Sequence, residues 1–231
     1  MNKESVIDLI KSRNTGISYG MGRSYGDVCL NPGGSIFKNE YLDRLINFDE
    51  NLGELECESG ICLKMLQDFL VPKGWMLPVS PGTEYVSIGG AIANDIHGKN
   101  HHQFGSFGNH ILEICLIRSD SGLTICSPEV NKEIFYATIG GIGLTGFILS
   151  CKLKLKKVPS PWLETESIAF NSLDSFYKLS DESEEEIFFS STKRNSFVVL
   201  DGLIGKSTFI ELNTILALSR DANGNSSVLL F

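Results

Sequence analysis

The chain has 231 residues, 42% of them hydrophobic and 21% charged, with a formal net charge of −8 at pH 7. That length buries a full core as one domain or two small ones, and the composition excludes a disordered chain. The acidic balance excludes nucleic-acid binding by broad phosphate neutralisation, and no apolar run approaches the roughly 20 residues that span a bilayer.

Residues 5–12 read as a helix with Val6, Ile7 and Ile10 on one face and Ser5 as its N-cap. A glycine-rich loop, SYGMGRSYGD (18–27), follows. Strands are expected at 35–38, 45–49 and 54–58, the last two joined by a turn at Asn51-Leu52-Gly53. A helix over 62–71 turns Leu63, Leu66, Phe69 and Leu70 inward and stops at Pro72 to Gly74. Residues 75–79 make a short strand, 87–94 a short helix and 97–109 a polar loop. Segments 110–118 and 123–127 pair as a hairpin about Ser119-Asp120-Ser121-Gly122. A helix over 129–137 precedes a strand over 145–157, whose Lys152 to Lys156 alternation has period two. Short strands mixed with short helices, without a regular βαβ repeat, indicate an α+β fold.

The character changes after Pro159-Ser160-Pro161: six of the eight net negative charges lie in 159–231, and 181–186 is an acidic run that reads as a solvated face. Residues 1–158 are expected to be the principal domain and 159–231 an incomplete or poorly specified second one. The opening MNKESVIDLI lacks the apolar stretch of a secretion signal, so a cytoplasmic chain is expected. Its six cysteines form no CxxC pair and read as reduced, mostly buried small hydrophobes.

All four histidines, His97, His101, His102 and His110, fall within one short stretch. They read as a metal pair at His97 and His101, as hydrogen-bonded imidazoles of a polar loop, or as the wall of a cofactor or substrate site. The loop-like Gly98, Lys99 and Asn100 between His97 and His101 weaken the metal reading.

The glycines carry the strongest signal. Sixteen of 23 occupy three windows, 16–34, 82–108 and 140–146. Glycine lets the backbone approach a ligand closely, and successive N–H groups in such loops make anion-binding concavities. Three of them point to a large phosphate-bearing ligand held mostly by main chain. Two familiar nucleotide motifs fail. Gly141-x-Gly143-x-x-Gly146 has a strand after it rather than a helix, the reverse of a dinucleotide-binding βαβ unit, and Gly205-Lys206-Ser207 has Leu200 where a phosphate loop needs glycine.

Three stretches, GMGRSYGD (20–27), VSPGTEYVSIGGAIANDIHGKNHHQFGSFGNH (79–110) and FYATIGGIGLTGFIL (135–149), resemble the FAD-binding domain of the vanillyl-alcohol-oxidase and para-cresol-methylhydroxylase type. Within that superfamily they look most like the decaprenylphosphoryl-β-D-ribose oxidase branch. The resemblance covers roughly 1–158 and implies two α+β subdomains with an extended FAD between them. It places Tyr19, Gly20, Met21, Gly22, Arg23, Ser24, Tyr25, Gly26 and Asp27 around the pyrophosphate. It places Gly82, Ser87, Ile88, Gly89 and Gly90 against phosphate and ribityl, and Asn94, Asp95, Ile96 and His97 along the flavin. Ile148 becomes an adenine-side or loop contact. Taken alone, Arg23 reads first as a loop-ordering or cofactor residue and second as a structural hydrogen-bonding group, Asp95 reads equally as a loop brace, and Ile148 reads as core.

Many members of the superfamily link FAD covalently through a histidine in the first loop. Asp27 stands at that position and cannot form the link, so non-covalent FAD is expected. The implied reaction is oxidation of a sugar hydroxyl to a ketone, with His97 as the candidate side chain for proton transfer or substrate orientation. The implied substrate is a polyprenyl-phosphate-linked or otherwise activated sugar of cell-envelope polysaccharide synthesis, with a short-chain reductase taking the keto product. The rival readings are a soluble aldonolactone or alditol oxidase and a catalytically silent flavin-binding fragment. The family's leading strand and the substrate-domain part with its catalytic lysine find no match here, so a truncated or frame-shifted product is expected.

Overall fold

The structure, a computed structural model, describes residues 3–12, 15–98, 100–159 and 161–169, single positions at 172, 174, 177 and 178, and the segments 187–193, 196–201, 209–211, 218–220 and 226–228. The acidic run 181–186 and the Gly205-Lys206-Ser207 motif lie outside the described residues.

Helix α1 (Lys3–Lys11) begins two residues before the expected cap, so Ser5 falls inside it. Strands β1 (Gly16–Tyr19) and β2 (Ser35–Lys38) pair in parallel, Gly16 with Ser35 through Tyr19 with Lys38. β3 (Leu45–Asp49) and β4 (Glu54–Glu58) make an antiparallel hairpin. α2 (Leu63–Leu70) runs into a 3₁₀ turn at Val71–Lys73, which Gly74 ends in the left-handed conformation. β5 (Trp75–Met76) is shorter than expected. α3 (Ile88–Ala93) is capped by Ser87, whose hydroxyl accepts from the Gly90 N–H.

The stretch expected to be a plain polar loop contains one helical turn, α4 (His101–Phe104), and a 3₁₀ turn at Phe107–His110. Both are braced locally. Gln103 and Phe104 donate backbone N–H groups to the Asn100 carbonyl, and His110 Nε2 lies 2.7 Å from the Phe104 carbonyl. β6 (Ile111–Arg118) and β7 (Gly122–Cys126) form the expected hairpin. α5 (Lys132–Thr138) starts later than expected, after Asn131 in a left-handed conformation. The long last strand divides into β8 (Phe147–Lys154) and β9 (Lys156–Lys157), because β9 leaves the main sheet to pair with β5.

The main sheet is five-stranded and antiparallel throughout, in the order β3-β4-β8-β6-β7. Its central strands are buried on both faces, and strand alternation sorts their side chains. Ile114, Leu116, Ile148, Cys151 and Leu153 belong to the larger core, with Leu63, Leu66 and Leu70 of α2 and Ile88, Ala91 and Ile92 of α3. Cys115, Ile117, Phe147 and Leu149 belong to a second core, with Val6 and Ile10 of α1 and with Leu42. The layers are thus helix, sheet, helix, an α+β arrangement. Glu58, 5% exposed at its side chain, is held at the end of β4 by Arg44 at 2.6 Å.

Beyond Ser160 the described strands β10 (Trp162–Ala169), β11 (Ile187–Lys193), β12 (Ser196–Asp201) and β13 (Phe209–Glu211) make a separate antiparallel sheet in the order β11-β12-β10-β13. β14 (Leu218–Arg220) and β15 (Ser226–Val228) pair as a hairpin. Among the described residues, no helix is long and apolar enough to cross a membrane, and no group of three or more His, Cys, Asp or Glu side chains is placed to hold a metal ion.

Candidate cofactor cleft

The three glycine windows meet. A cleft of about 640 Å³ is lined by residues from all of them, with Gly20 and Gly22 from the first, Gly82, Gly89 and Gly90 from the second, and Gly143 and Gly146 from the third.

The first loop leaves β1 at Tyr19. Gly22 has φ +63°, a conformation that favours glycine, and a Cβ there would meet the Tyr19 hydroxyl. Among the described residues, none of the N–H groups from Gly20 to Gly26 donates to a backbone acceptor of the protein. A buried helix or strand would not leave such a run unpaired; beside a cleft it is a set of donors available to a ligand. Arg23 Nε donates to the Tyr85 carbonyl at 3.3 Å and straps the first loop to the second.

The second loop is engaged differently. The Ile88 N–H donates to the Ile61 carbonyl at 3.0 Å and the Gly89 N–H to the Ser59 carbonyl at 2.8 Å. A Cβ on Gly89 would stand 2.9 Å from the Ser59 Cβ, so glycine here lets α3 sit close against the turn after β4. The third loop docks on the end of α3: Gly140 and Ile142 donate N–H bonds to the Ile92 and Ala93 carbonyls at 3.0 and 2.7 Å. Ile142 lines the cleft with φ +54°, unusual for a β-branched residue.

Most of the residues expected at the site line this cleft: Tyr19, Gly20, Met21, Gly22, Arg23, Ser24, Tyr25, Gly82, Ser87, Gly89, Gly90, Asn94, Ile96, His97 and Ile148. Four do not. Gly26 and Asp27 lie farther out on the exposed part of the first loop. Ile88 is fully buried in the larger core, because the inward face of α3 packs on the sheet. Asp95 braces a loop: at φ +41° its Oδ1 accepts from the Gly108 N–H at 2.8 Å. Asn94 Nδ2 donates to the Gly90 carbonyl at 2.8 Å, which closes the end of α3. His97 is exposed, pairs with Ser106 in an isolated bridge, and packs edge to face on His101 with ring centres 5.8 Å apart.

Sequence reasoning missed Asn39, Thr83, Val86 and Ile142 on the walls. Ile142 was within reach, since it lies inside the third glycine window. Asn39 follows a strand with no motif around it and gave no signal. Among the described lining residues Arg23 is the one side chain of the Lys, Arg, Asp and Glu types. An anion here meets chiefly main-chain dipoles.

The family described as FAD binding domain matches residues 4–127. The chain belongs to this family. It is 37% identical over 177 residues to the decaprenylphosphoryl-β-D-ribose oxidase of Mycolicibacterium smegmatis, covering 76% of this chain and 38% of that protein. It is 41% identical over 114 residues to an uncharacterized protein in the mprA 5′ region of Streptomyces coelicolor, covering 49% of this chain and 30% of that one. It is 25% identical over 169 residues to a probable mitochondrial D-2-hydroxyglutarate dehydrogenase of Oryza sativa subsp. indica, covering 71% and 28%. The chain thus spans less than two fifths of the length of these relatives.

FAD is the cofactor of such a domain, and the cleft fits it on three counts. Its volume lies within the roughly 300–1,000 Å³ usual for cofactor sites. Among the described residues, the amides of 20–25 on its wall have no backbone acceptor, which suits a diphosphate. Asn39, which lines the cleft, also carries a buried side-chain oxygen, Oδ1, without a hydrogen-bond partner among the described residues.

Proposed function

We propose that this chain is the FAD-holding part of an oxidoreductase that converts a CH–OH group of a sugar to a ketone. Its substrate is a polyprenyl-phosphate-linked sugar of cell-envelope synthesis, on the cytoplasmic side, and a short-chain reductase consumes the keto product. The amide run at 20–25 on the wall of a cleft lined by all three glycine windows carries the cofactor half of this reading. The similarity to the mycobacterial ribose oxidase supports the substrate half.

Bound FAD supplies a hydride acceptor. The chain's own residues hold and shield it. Amides of the first loop neutralise the diphosphate without a basic patch, and Arg23 keeps the first and second loops together. His97 takes the hydroxyl proton or orients the sugar, a role supported by its exposure on the cleft wall. Retention of the cofactor is non-covalent, since Asp27 offers no nucleophile suited to a flavin link.

The test has two steps. The FAD-loaded protein is precipitated with acid, and all flavin is expected in the supernatant; flavin fluorescence remaining on the denatured polypeptide refutes the non-covalent site. Dye reduction is then measured with lipid-linked ribose and with soluble aldonolactones and alditols. Turnover on the lipid-linked sugar alone supports the proposal, whereas turnover on soluble sugars, or a yellow protein without turnover, rejects it.

A further inference from the structure

His97 stands on the cleft wall with its side chain exposed. Its main chain is held: it pairs with Ser106 in an isolated bridge, and the carbonyl of the preceding Ile96 accepts from the Phe107 N–H at 2.8 Å. Backbone alone does not fix the imidazole, because an exposed ring samples several rotamers. The His101 ring packs against it edge to face, with 81° between the planes and 5.8 Å between the centres. That separation lies within the roughly 4.5–7 Å of favourable aromatic pairs.

A ring orients its neighbour only if it is itself fixed, and His101 is. The Gly98 carbonyl is approached twice by this one residue, by its backbone N–H at 3.2 Å and by its Nδ1 at 3.0 Å. A carbonyl only accepts, so Nδ1 carries a proton. Gly98 is wedged in turn: a Cβ there would collide with the Ser80 carbonyl and stand 2.8 Å from Asn100 Oδ1. Asn100 is fully buried, and its Nδ2 donates to the Pro78 carbonyl at 2.7 Å. The segment 78–80 runs directly into Pro81, Gly82 and Thr83 of the cleft wall. Fixed contacts thus pass from that segment through Asn100, Gly98 and His101 to the His97 imidazole.

We infer that His101 is a positioning residue, which fixes the direction of the His97 imidazole on the cleft wall. This inference rests on the reading of His97 as the group that takes the hydroxyl proton or orients the sugar, and adds what holds an exposed side chain in one geometry for that task. Proton transfer needs its heavy atoms within hydrogen-bond reach, so a ring shared among rotamers spends only part of its time in the useful one. An aromatic pair of this kind biases such an equilibrium by roughly 2- to 10-fold.

The test reads the ring's direction. In the ¹³C,¹⁵N-labelled full chain, with and without FAD, three-bond couplings from the backbone nitrogen and carbonyl carbon to His97 Cγ are measured in the wild type, His101→Ala and His101→Asn. These couplings report the χ1 population and are blind to the loss of a neighbouring ring current. The wild type should give values near those of a single rotamer, and both variants averaged values. His101→Asn keeps a donor for the Gly98 carbonyl and removes only the ring; amide shifts of Gln103 and Phe104, which bond to Asn100, show that the turn of α4 survives in it. Wild-type couplings that are already averaged overturn the inference, as do couplings unchanged in His101→Asn. A long-range ¹H–¹⁵N spectrum with His101 Nδ1 unprotonated overturns it too.

Dye reduction by the FAD-loaded protein on lipid-linked sugar gives a second readout. His101→Asn is expected to lower kcat by roughly 2- to 10-fold with KM and FAD affinity unchanged, the pattern of a lost transition-state geometry; an unchanged kcat overturns the positioning role. A His97→Gln variant that turns over like the wild type refutes the reading of His97 itself. That failure is told apart from failure of this inference, because the His97 couplings of the parent chain would still respond to His101.

Discussion

At Gly22 two requirements coincide. Its φ of +63° favours glycine, and it lines the cleft in a run whose N–H groups, among the described residues, have no backbone acceptor. Gly22→Asp adds a Cβ against Tyr19 and a carboxylate where the diphosphate is read to sit. FAD affinity is expected to fall by roughly 100-fold or more, as like charges meet at short range. Equilibrium titration with far-UV circular dichroism as a fold control checks this, and stoichiometric FAD in the variant refutes the loop assignment. Ile142 shows the opposite economy. A β-branched side chain at φ +54° is strained, and at 53% exposure it recovers little by burial. Ile142→Asn should therefore stabilise the apo protein by about 1 kcal/mol, read as a higher urea midpoint. Residue-scale legibility follows the same line. Clustered glycines announced the cleft because few other causes cluster them. Ile88 and Asp95 stood in the right stretch, yet which way each points depends on how α3 lies on the sheet, and no local pattern carries that.

Among the elements, β7 and β8 place their cysteines in the protein interior. Cys126 is buried, with its thiol directed at the Ile114 carbonyl at 3.5 Å, and burial pushes that thiol up to about 11. Cys151, paired with Cys57 across β4 and β8, is also raised, by the hydrogen bond between the two thiols and by burial. An unfolded thiol titrates near 8.5. Between that value and about 11 the folded chain binds the extra proton, so stability is complete below the window and falls as pH rises through it. The slope is at most about 1.4 kcal/mol per pH unit for each such proton. Urea midpoints from pH 8 to 10.5 should decline in the wild type and decline less steeply in Cys126→Val; parallel declines refute the assignment. Elements built on local pattern, such as α2 and the β6–β7 hairpin, were legible within a residue or two. β1 was not, because its four residues look like loop and become a strand only beside β2, and α4 is one turn whose support comes from Asn100.

Over the whole molecule, the α+β class was readable from the mixture of short elements, but the strand order was not. β8 lies between β4 and β6, and such pairings depend on packing between distant segments. The two-sided core could be anticipated only in part: β6, Ile-Leu-Glu-Ile-Cys-Leu-Ile-Arg, feeds one face through Ile114 and Leu116 and the other through Cys115 and Ile117. The charge distribution explains why no basic motif pointed to a phosphate ligand in a chain of net charge −8, since the cleft relies on main-chain dipoles.

The parallel pairing of β1 with β2 carries one last implication. Because β1 and β2 run in parallel, the excursion from Tyr19 to Ser35 starts at one end of the pair, beside Lys38, and finishes at the other, beside Gly16, so the two strands close it into a ring. The entropic cost of closing such a ring rises only slowly with its circumference. An insertion or deletion in the outer arc from Val28 to Gly34 is thus expected to cost little and to leave the inner arc, which lines the cleft, in place.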